Sequence, residues 1–72
     1  MQLAHAGRNA EALPYFETFV RDRPDNVQGH LRLASLLLKL DRKDDARRAL
    51  ERALALDPSN SMARETLRAL GG

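Results

Sequence analysis

Residues 27–60 read VQGHLRLASLLLKLDRKDDARRALERALALDPSN, and they carry the pattern that best predicts the fold of the 72-residue chain. The DPSN that closes it, at residues 57–60, echoes the RPDN at residues 23–26, which lies 34 residues earlier. At the same offset further positions are identical, among them Ala12 with Ala46 and Leu33 with Leu67. A fixed period of roughly 20 to 50 residues is typical of proteins built from stacked structural repeats. The sequence therefore predicts a repeat architecture with a recurring surface.

The composition excludes several classes of protein. The absence of cysteine rules out disulfides and thiolate metal sites, and no apolar run is long enough to span a bilayer. The first residues lack the basic start and long apolar run of a signal peptide. The net charge of +2 is small, and arginine greatly outnumbers lysine, which is typical of GC-rich bacterial genomes. We therefore expect a bacterial, cytoplasmic protein without membrane insertion.

The apolar residues are mostly leucine and alanine, and they predict an all-α chain. No strand-like alternation of β-branched residues interrupts them. Breaks at Gly7, 23–26, 41–43 and 57–60 leave about four helices and a short N-terminal helical remnant. We expect the four helices at residues 10–22, 27–40, 44–56 and 61–70, the first with a late or irregular start because Pro14 lies inside it.

The two middle segments predict different positions in the fold. Residues 27–40 are apolar around most of the helix, which is typical of a central helix packed on two sides. Residues 44–56 have one apolar face, which extends to Leu56, and one charged face, on which Asp44 is spaced to pair with Arg48. The turns between helices are short, so neighbouring helices should run antiparallel.

On its 34-residue period, the stretch 27–60 resembles one complete tetratricopeptide repeat. It has the small, apolar and proline residues that are typical of this family at Leu33, Ala34, Leu37, Ala46, Leu50, Ala53 and Pro58. Three residues depart from the pattern: His30 stands where a large aromatic is usual, and Phe19 and Arg68 stand where small residues are usual. The resemblance implies antiparallel helix-turn-helix repeats stacked as an α-solenoid.

The resemblance also divides the chain and implies a function. Residues 1–26 would be a partial repeat, 27–60 a complete one, and 61–72 the first or capping helix of the next. The family's function implies a protein–protein interaction module or assembly scaffold, without catalysis, that binds a peptide or partner helix in a concave groove. The residues implied to line that groove are Ala4, His5, Gln28, Leu31, Ser35, Leu38, Lys39, Met62 and Glu65.

Two of these groove residues have alternative interpretations. Leu31 and Leu38 are apolar residues that either lie open on a binding surface or are covered by neighbouring helices. A charge at either position would abolish partner binding in the first case and unfold the protein in the second.

The residue types that carry catalysis or metal binding form no pattern. His5 and His30 have no nearby cluster of acids, and Ser59 and Ser61 fit helix starts better than a catalytic triad. Neither a phosphate-binding glycine loop nor a cofactor motif is present. We therefore predict no enzyme activity, no cofactor and no metal.

The densest basic cluster comprises Arg42, Lys43, Arg47, Arg48 and Arg52. Acidic residues interleave with it and no aromatic residue is near for base stacking, so it predicts a solvated, self-paired helix face and no nucleic-acid partner.

The partial first repeat suggests a further role. The apolar face of residues 10–20 would lack a partner helix, so we expect either a longer array of repeats or self-association through this face. Two alternatives to the interaction module remain open: a homo-oligomerising structural segment and a docking appendage of a larger enzyme.

Overall fold

The fold is seen in a computed structural model, which describes the backbone of residues 2–71 and the side chains of residues 9–71. It has four α-helices: α1 (Gln2–Asp22), α2 (Val27–Lys39), α3 (Lys43–Leu56) and α4 (Ser61–Ala69). Successive helices pack against each other, so α2 lies between α1 and α3, and α4 packs on α3. The chain is therefore an all-α stack of helical hairpins, as the 34-residue period predicts.

Asparagine side chains start the helices that begin each period. The Asn26 Oδ1 accepts a hydrogen bond from the Gly29 backbone N–H at 2.8 Å, and the Asn60 Oδ1 accepts one from the Ala63 N–H at 2.9 Å. Each bond satisfies one of the amides that the first helical turn leaves without a partner. The two asparagine caps therefore fix the same helix start in both periods.

Helix α2 is ended by backbone hydrogen bonds alone, in the turn that leads to α3. Asp41 has a φ of 61°, in the left-handed region. Its N–H donates to the carbonyl of Leu38 at 3.0 Å, and the Arg42 N–H donates to that of Leu37 at 2.8 Å. These two bonds form a Schellman motif, a tight helix stop in which glycine is the usual left-handed residue. The short turn holds α2 and α3 antiparallel.

The core follows the predicted pattern of small and large residues. Ala34 is 1% exposed, and Ala46 and Ala53, which belong to the next helix, are fully buried. With Leu37 and Leu50 they belong to a single apolar cluster that reaches from α1 to α4. Small side chains at these positions allow α2 and α3 to pack closely.

The predicted N-terminal boundary is wrong. Helix α1 runs without a break through Gly7 and Pro14, so the remnant and the first helix are one element. A glycine in a helix interior costs only about 1 kcal/mol relative to alanine. Pro14 removes the bond to the Ala10 carbonyl, but both residues are exposed, on a side of α1 that solvent reaches.

Two smaller expectations about α3 are also corrected. Leu56, placed on the buried face, is 42% exposed because it is the last residue of the helix, beyond the packed turns. Asp44 pairs with Arg47 and not with Arg48: its Oδ1 lies 4.0 Å from the Arg47 Nη1. Arg48 pairs with Asp45, whose Oδ1 lies 4.0 Å from the Arg48 Nη1. Both ion pairs join residues three apart on an exposed helix face, where such pairs contribute little to stability.

Candidate interaction surface

The groove residues of α2 lie on one face of that helix, because they recur every three or four residues. Gln28 and Lys39 are exposed, while Ser35 and Leu38 are half-buried. Leu38 packs against the edge of the core and keeps part of its side chain open. This face therefore offers polar ends and a partly apolar middle.

Leu31 does not lie on this open surface. It is only 5% exposed and belongs to the core. Of the two interpretations of Leu31, coverage by neighbouring helices is the one the structure shows. Its side chain is packed in the core below the α2 face, so a partner cannot contact it.

Helix α4 contributes the other described groove residues. Met62 is 55% exposed and Glu65 is exposed. They stand one period after Gln28 and Leu31, respectively. The Asn60 cap fixes this first turn, and the Thr66 hydroxyl donates to the Met62 carbonyl at 2.7 Å. An exposed methionine is a flexible apolar side chain that adapts to different partner surfaces.

The remaining predicted groove residues are Ala4 and His5, whose side chains lie outside the described residues. The structure does not gather the described ones into a single cleft: Gln28 lines a cleft shared with α1, and Glu65 lines another with Ser61 and Arg64. Neither of these clefts therefore joins the groove residues of α2 to those of α4.

The apolar face of residues 10–20, which the sequence predicts to lack a partner helix, packs against the core through Leu13 and Val20. A second surface of α1 carries Tyr15, which the sequence analysis does not single out. Tyr15 is 66% exposed, and its ring meets that of Phe16 edge to face, with centroids 5.2 Å apart. Phe19 is half-buried, with the Arg23 guanidinium carbon 5.4 Å from its ring centre, within the range of a cation–π contact. The signal that identifies this surface is the spacing of four residues between Tyr15 and Phe19.

Two open clefts flank these aromatic rings, and both are lined by Tyr15 and Phe19. One, of about 340 Å³, reaches to Gly29 and Arg32 of α2. The other, of about 520 Å³, lies on the outer side of α1 beside Thr18. The aromatic side chains of α1 therefore stand between two hollows that another side chain could enter.

A third cleft, of about 510 Å³, lies between α1, α2 and α3. His30 is buried at its edge, and its Nε2 donates to the Pro24 carbonyl at 2.8 Å. The histidine that departs from the family pattern thus ties α2 to the turn before it. The charged residues that line this cleft have both signs: Glu17, Arg21, Asp45, Arg48 and Arg52.

The basic cluster of α3 is partly self-paired, as its interleaved acids indicate. Arg47 and Arg48 each have an aspartate at 4.0 Å, while Arg42, Lys43 and Arg52 are exposed. Within the part of the chain that the structure describes, no group of three or more His, Asp or Glu side chains is placed to hold a metal ion.

None of the helices described in the structure combines the length and the apolar character needed to cross a bilayer.

The geometry defines a class of protein: a stack of antiparallel helical hairpins with a 34-residue period, asparagine caps at the helix starts and buried alanines where the helices pack. The family model described as the tetratricopeptide repeat matches residues 3–61. The chain belongs to the tetratricopeptide repeat family. Comparison with curated proteins and with solved structures gives no significant match. Members of this family are generally protein–protein interaction modules and typically not catalysts.

Proposed function

We propose that the chain binds a peptide or a partner helix on the face formed by α2 and α4. The residues that contact the partner in this proposal are the groove residues that remain accessible: Gln28, Ser35, Leu38, Lys39, Met62 and Glu65. The observation that carries the proposal is the exposure of Met62 at 55%, on the helix that repeats α2 one period later. Leu31 holds this face in place from within the core.

The character of the face indicates the kind of partner. Leu38 and Met62 offer apolar contact, while Lys39 and Glu65 offer one charge of each sign. A mixed surface of this kind suits an amphipathic segment with one or two apolar anchors and polar flanks. The division of the chain at residues 26 and 60 into partial and complete repeats stays a prediction, as do its cytoplasmic location and bacterial origin.

Peptide selection with the 72-residue chain tests this proposal. Peptides would be selected from a random library on the immobilised chain, and their Kd measured by isothermal titration calorimetry. We expect the double variant Leu38→Glu, Met62→Glu to weaken binding at least about tenfold, because it places two charges at the apolar anchors. Circular dichroism checks that helix content is retained.

A matched control places the same charge elsewhere. Leu56→Glu changes an exposed apolar residue at the end of α3, so it should leave peptide binding within about twofold. The proposal fails if the selected peptides bind the double variant as tightly as the original chain, or if Leu56→Glu is the change that abolishes binding.

Self-association is a second candidate function, and the exposed Tyr15 favours it. A large aromatic side chain that is two-thirds accessible, between two clefts, is typical of an interface residue. Sedimentation equilibrium of the chain tests this function independently of peptide binding.

A further inference from the structure

Three side chains of α1 and that of Arg23, the residue after the helix, form one ridge with opposite charges at its two ends. Glu11, Tyr15, Phe19 and Arg23 follow each other at intervals of four residues. Side chains at this spacing line one of the ridges by which helices pack. Arg23 continues the helical pattern, since its N–H donates to the Phe19 carbonyl at 2.9 Å. We call this set the α1 ridge.

The α1 ridge is accessible at three of its four residues and partly accessible at the fourth. Glu11, Tyr15 and Arg23 are exposed, and Phe19 is half-buried. One period later the same positions hold Asp45, Ala49, Ala53 and Asp57, with both alanines buried. The two aromatic residues and the arginine are therefore specific to this first helix and do not recur where the next repeat buries alanines.

The order acid, aromatic, aromatic, base is self-complementary when two copies run antiparallel. If Tyr15 faces Phe19 of a second copy, the same register sets Glu11 opposite Arg23 of that copy. The two-fold relation makes each contact occur twice, as in any isologous interface. We propose, building on the self-association suggested above, that a second copy of this chain docks antiparallel on the α1 ridge in this register.

The clefts beside the ridge fit this arrangement. The hollows of about 340 and 520 Å³ that Tyr15 and Phe19 share give the incoming aromatic rings room on either side. Packing ridges at spacing four into each other is the commonest way in which two helices cross. The charged ends then lie at the rim, where opposite charges set the register more than the affinity.

Helix α4, at the other end of the stack, is a poor docking site for α1 of a second copy. In a head-to-tail arrangement, α4 of one copy would pack on α1 of the next as α2 packs on α3. However, Arg68 stands one period after Ala34, which is 1% exposed. Docking in this way would bury a guanidinium group without a described partner, at a high desolvation cost. A closed dimer through α1 is therefore favoured over an open chain of copies.

Sedimentation equilibrium over a range of concentrations tests the register. We expect the chain to move from its 8.1 kDa monomer mass to twice that value as concentration rises, with no larger species. Glu11→Arg or Arg23→Glu alone should weaken the dimer about tenfold, since each change replaces two attractions by repulsions. The double variant Glu11→Arg, Arg23→Glu should return to within about threefold of the original Kd.

The aromatic contact is tested separately. Tyr15→Glu should leave only monomer, with unchanged helix content by circular dichroism.

Control variants separate the register from self-association and from peptide binding. Glu51→Arg, an exposed acid on α3, should not change the dimer. A monomer at all concentrations overturns both self-association and the register, whereas a dimer without rescue by the double charge swap overturns the register alone. Species larger than a dimer that disappear with Arg68→Glu would instead establish the head-to-tail arrangement. Leu38→Glu should leave the dimer intact, so peptide binding can fail or succeed independently.

Discussion

The ring of Phe19 lies directly on the backbone of Gly29. A Cβ at residue 29 would stand 2.8 Å from the Cε1 of Phe19 and 2.9 Å from its Cδ1, and 3.4 Å from the Cγ1 of Val20. One period later the equivalent residues are Ala53 and Ala63, both fully buried. A large residue on α1 is thus matched by a glycine on α2, where the next pair of helices uses two alanines. This match explains how the fold accepts Phe19 at a position where a small residue is usual.

Gly29→Ala should destabilise the protein by about 1 kcal/mol, because overpacking at the ring, which typically costs about 1–3 kcal/mol, exceeds the roughly 1 kcal/mol gained from alanine's helix propensity. In a Phe19→Ala background the same change should be stabilising by about 1 kcal/mol, since the obstructing ring is gone. Urea unfolding of the four variants measures the cycle. The close contact is refuted if Gly29→Ala has the same effect in both backgrounds.

Asn26→Ala should lower the free energy of unfolding by about 1 kcal/mol, because the Gly29 amide loses its side-chain acceptor at the start of the central helix. Asn60→Ala removes the equivalent cap of α4. The main packing contact of α4 is with α3, whereas α2 packs on both α1 and α3. We therefore expect the first turn of α4 to exchange its amide hydrogens faster in this variant, while α2 stays protected. Hydrogen exchange followed by NMR distinguishes this local effect from global destabilisation.

Asp41→Gly should stabilise the protein by about 0.5 kcal/mol, and Asp41→Val should destabilise it by about 1–2 kcal/mol. The φ of 61° at this residue costs a branched side chain most and glycine least. Gly71, with a φ of 76°, already occupies the corresponding position after α4. Thermal or urea unfolding checks the order Gly, Asp, Val; any other order would contradict the helix stop described for α2.

Leu31→Ala should cost about 3 kcal/mol, as for other fully buried leucines, whereas Leu38→Ala should cost about 1 kcal/mol. The difference follows from the burial of Leu31 and the partial exposure of Leu38. Unfolding midpoints in urea, with the slope held constant, measure both values. Equal costs would show that both leucines lie in the core, and the α2 face would then have no apolar anchor.

The local signals in the sequence predicted most of the fold. The prolines and asparagines at residues 24–26 and 58–60 set helix starts by short-range bonds, so the bounds of α2, α3 and α4 agree with the structure to within one residue. Gly7 does not break α1, because a single glycine costs less than the good helix formers on both sides of it contribute.

The candidate site was predicted less completely, for a physical reason. Leu31 and Leu38 lie on the same face two turns apart, so periodicity alone cannot tell which of them a neighbouring helix covers. The exposure of Tyr15 likewise depends on how α1 sits on α2, which is a tertiary property. The pairing of Asp44 with Arg47 depends on side-chain rotamers at the surface, which spacing does not determine.

Backbone NMR mapping tests whether α2 and α4 together form the binding face. Amide spectra of the labelled chain would be recorded while a peptide selected on the chain is added. We expect the largest shifts at Gln28, Ser35, Leu38 and Lys39 on α2 and around Met62 and Glu65 on α4. Shifts confined to α1, or to the cleft between α1 and α3 around Arg21 and Arg48, would contradict it.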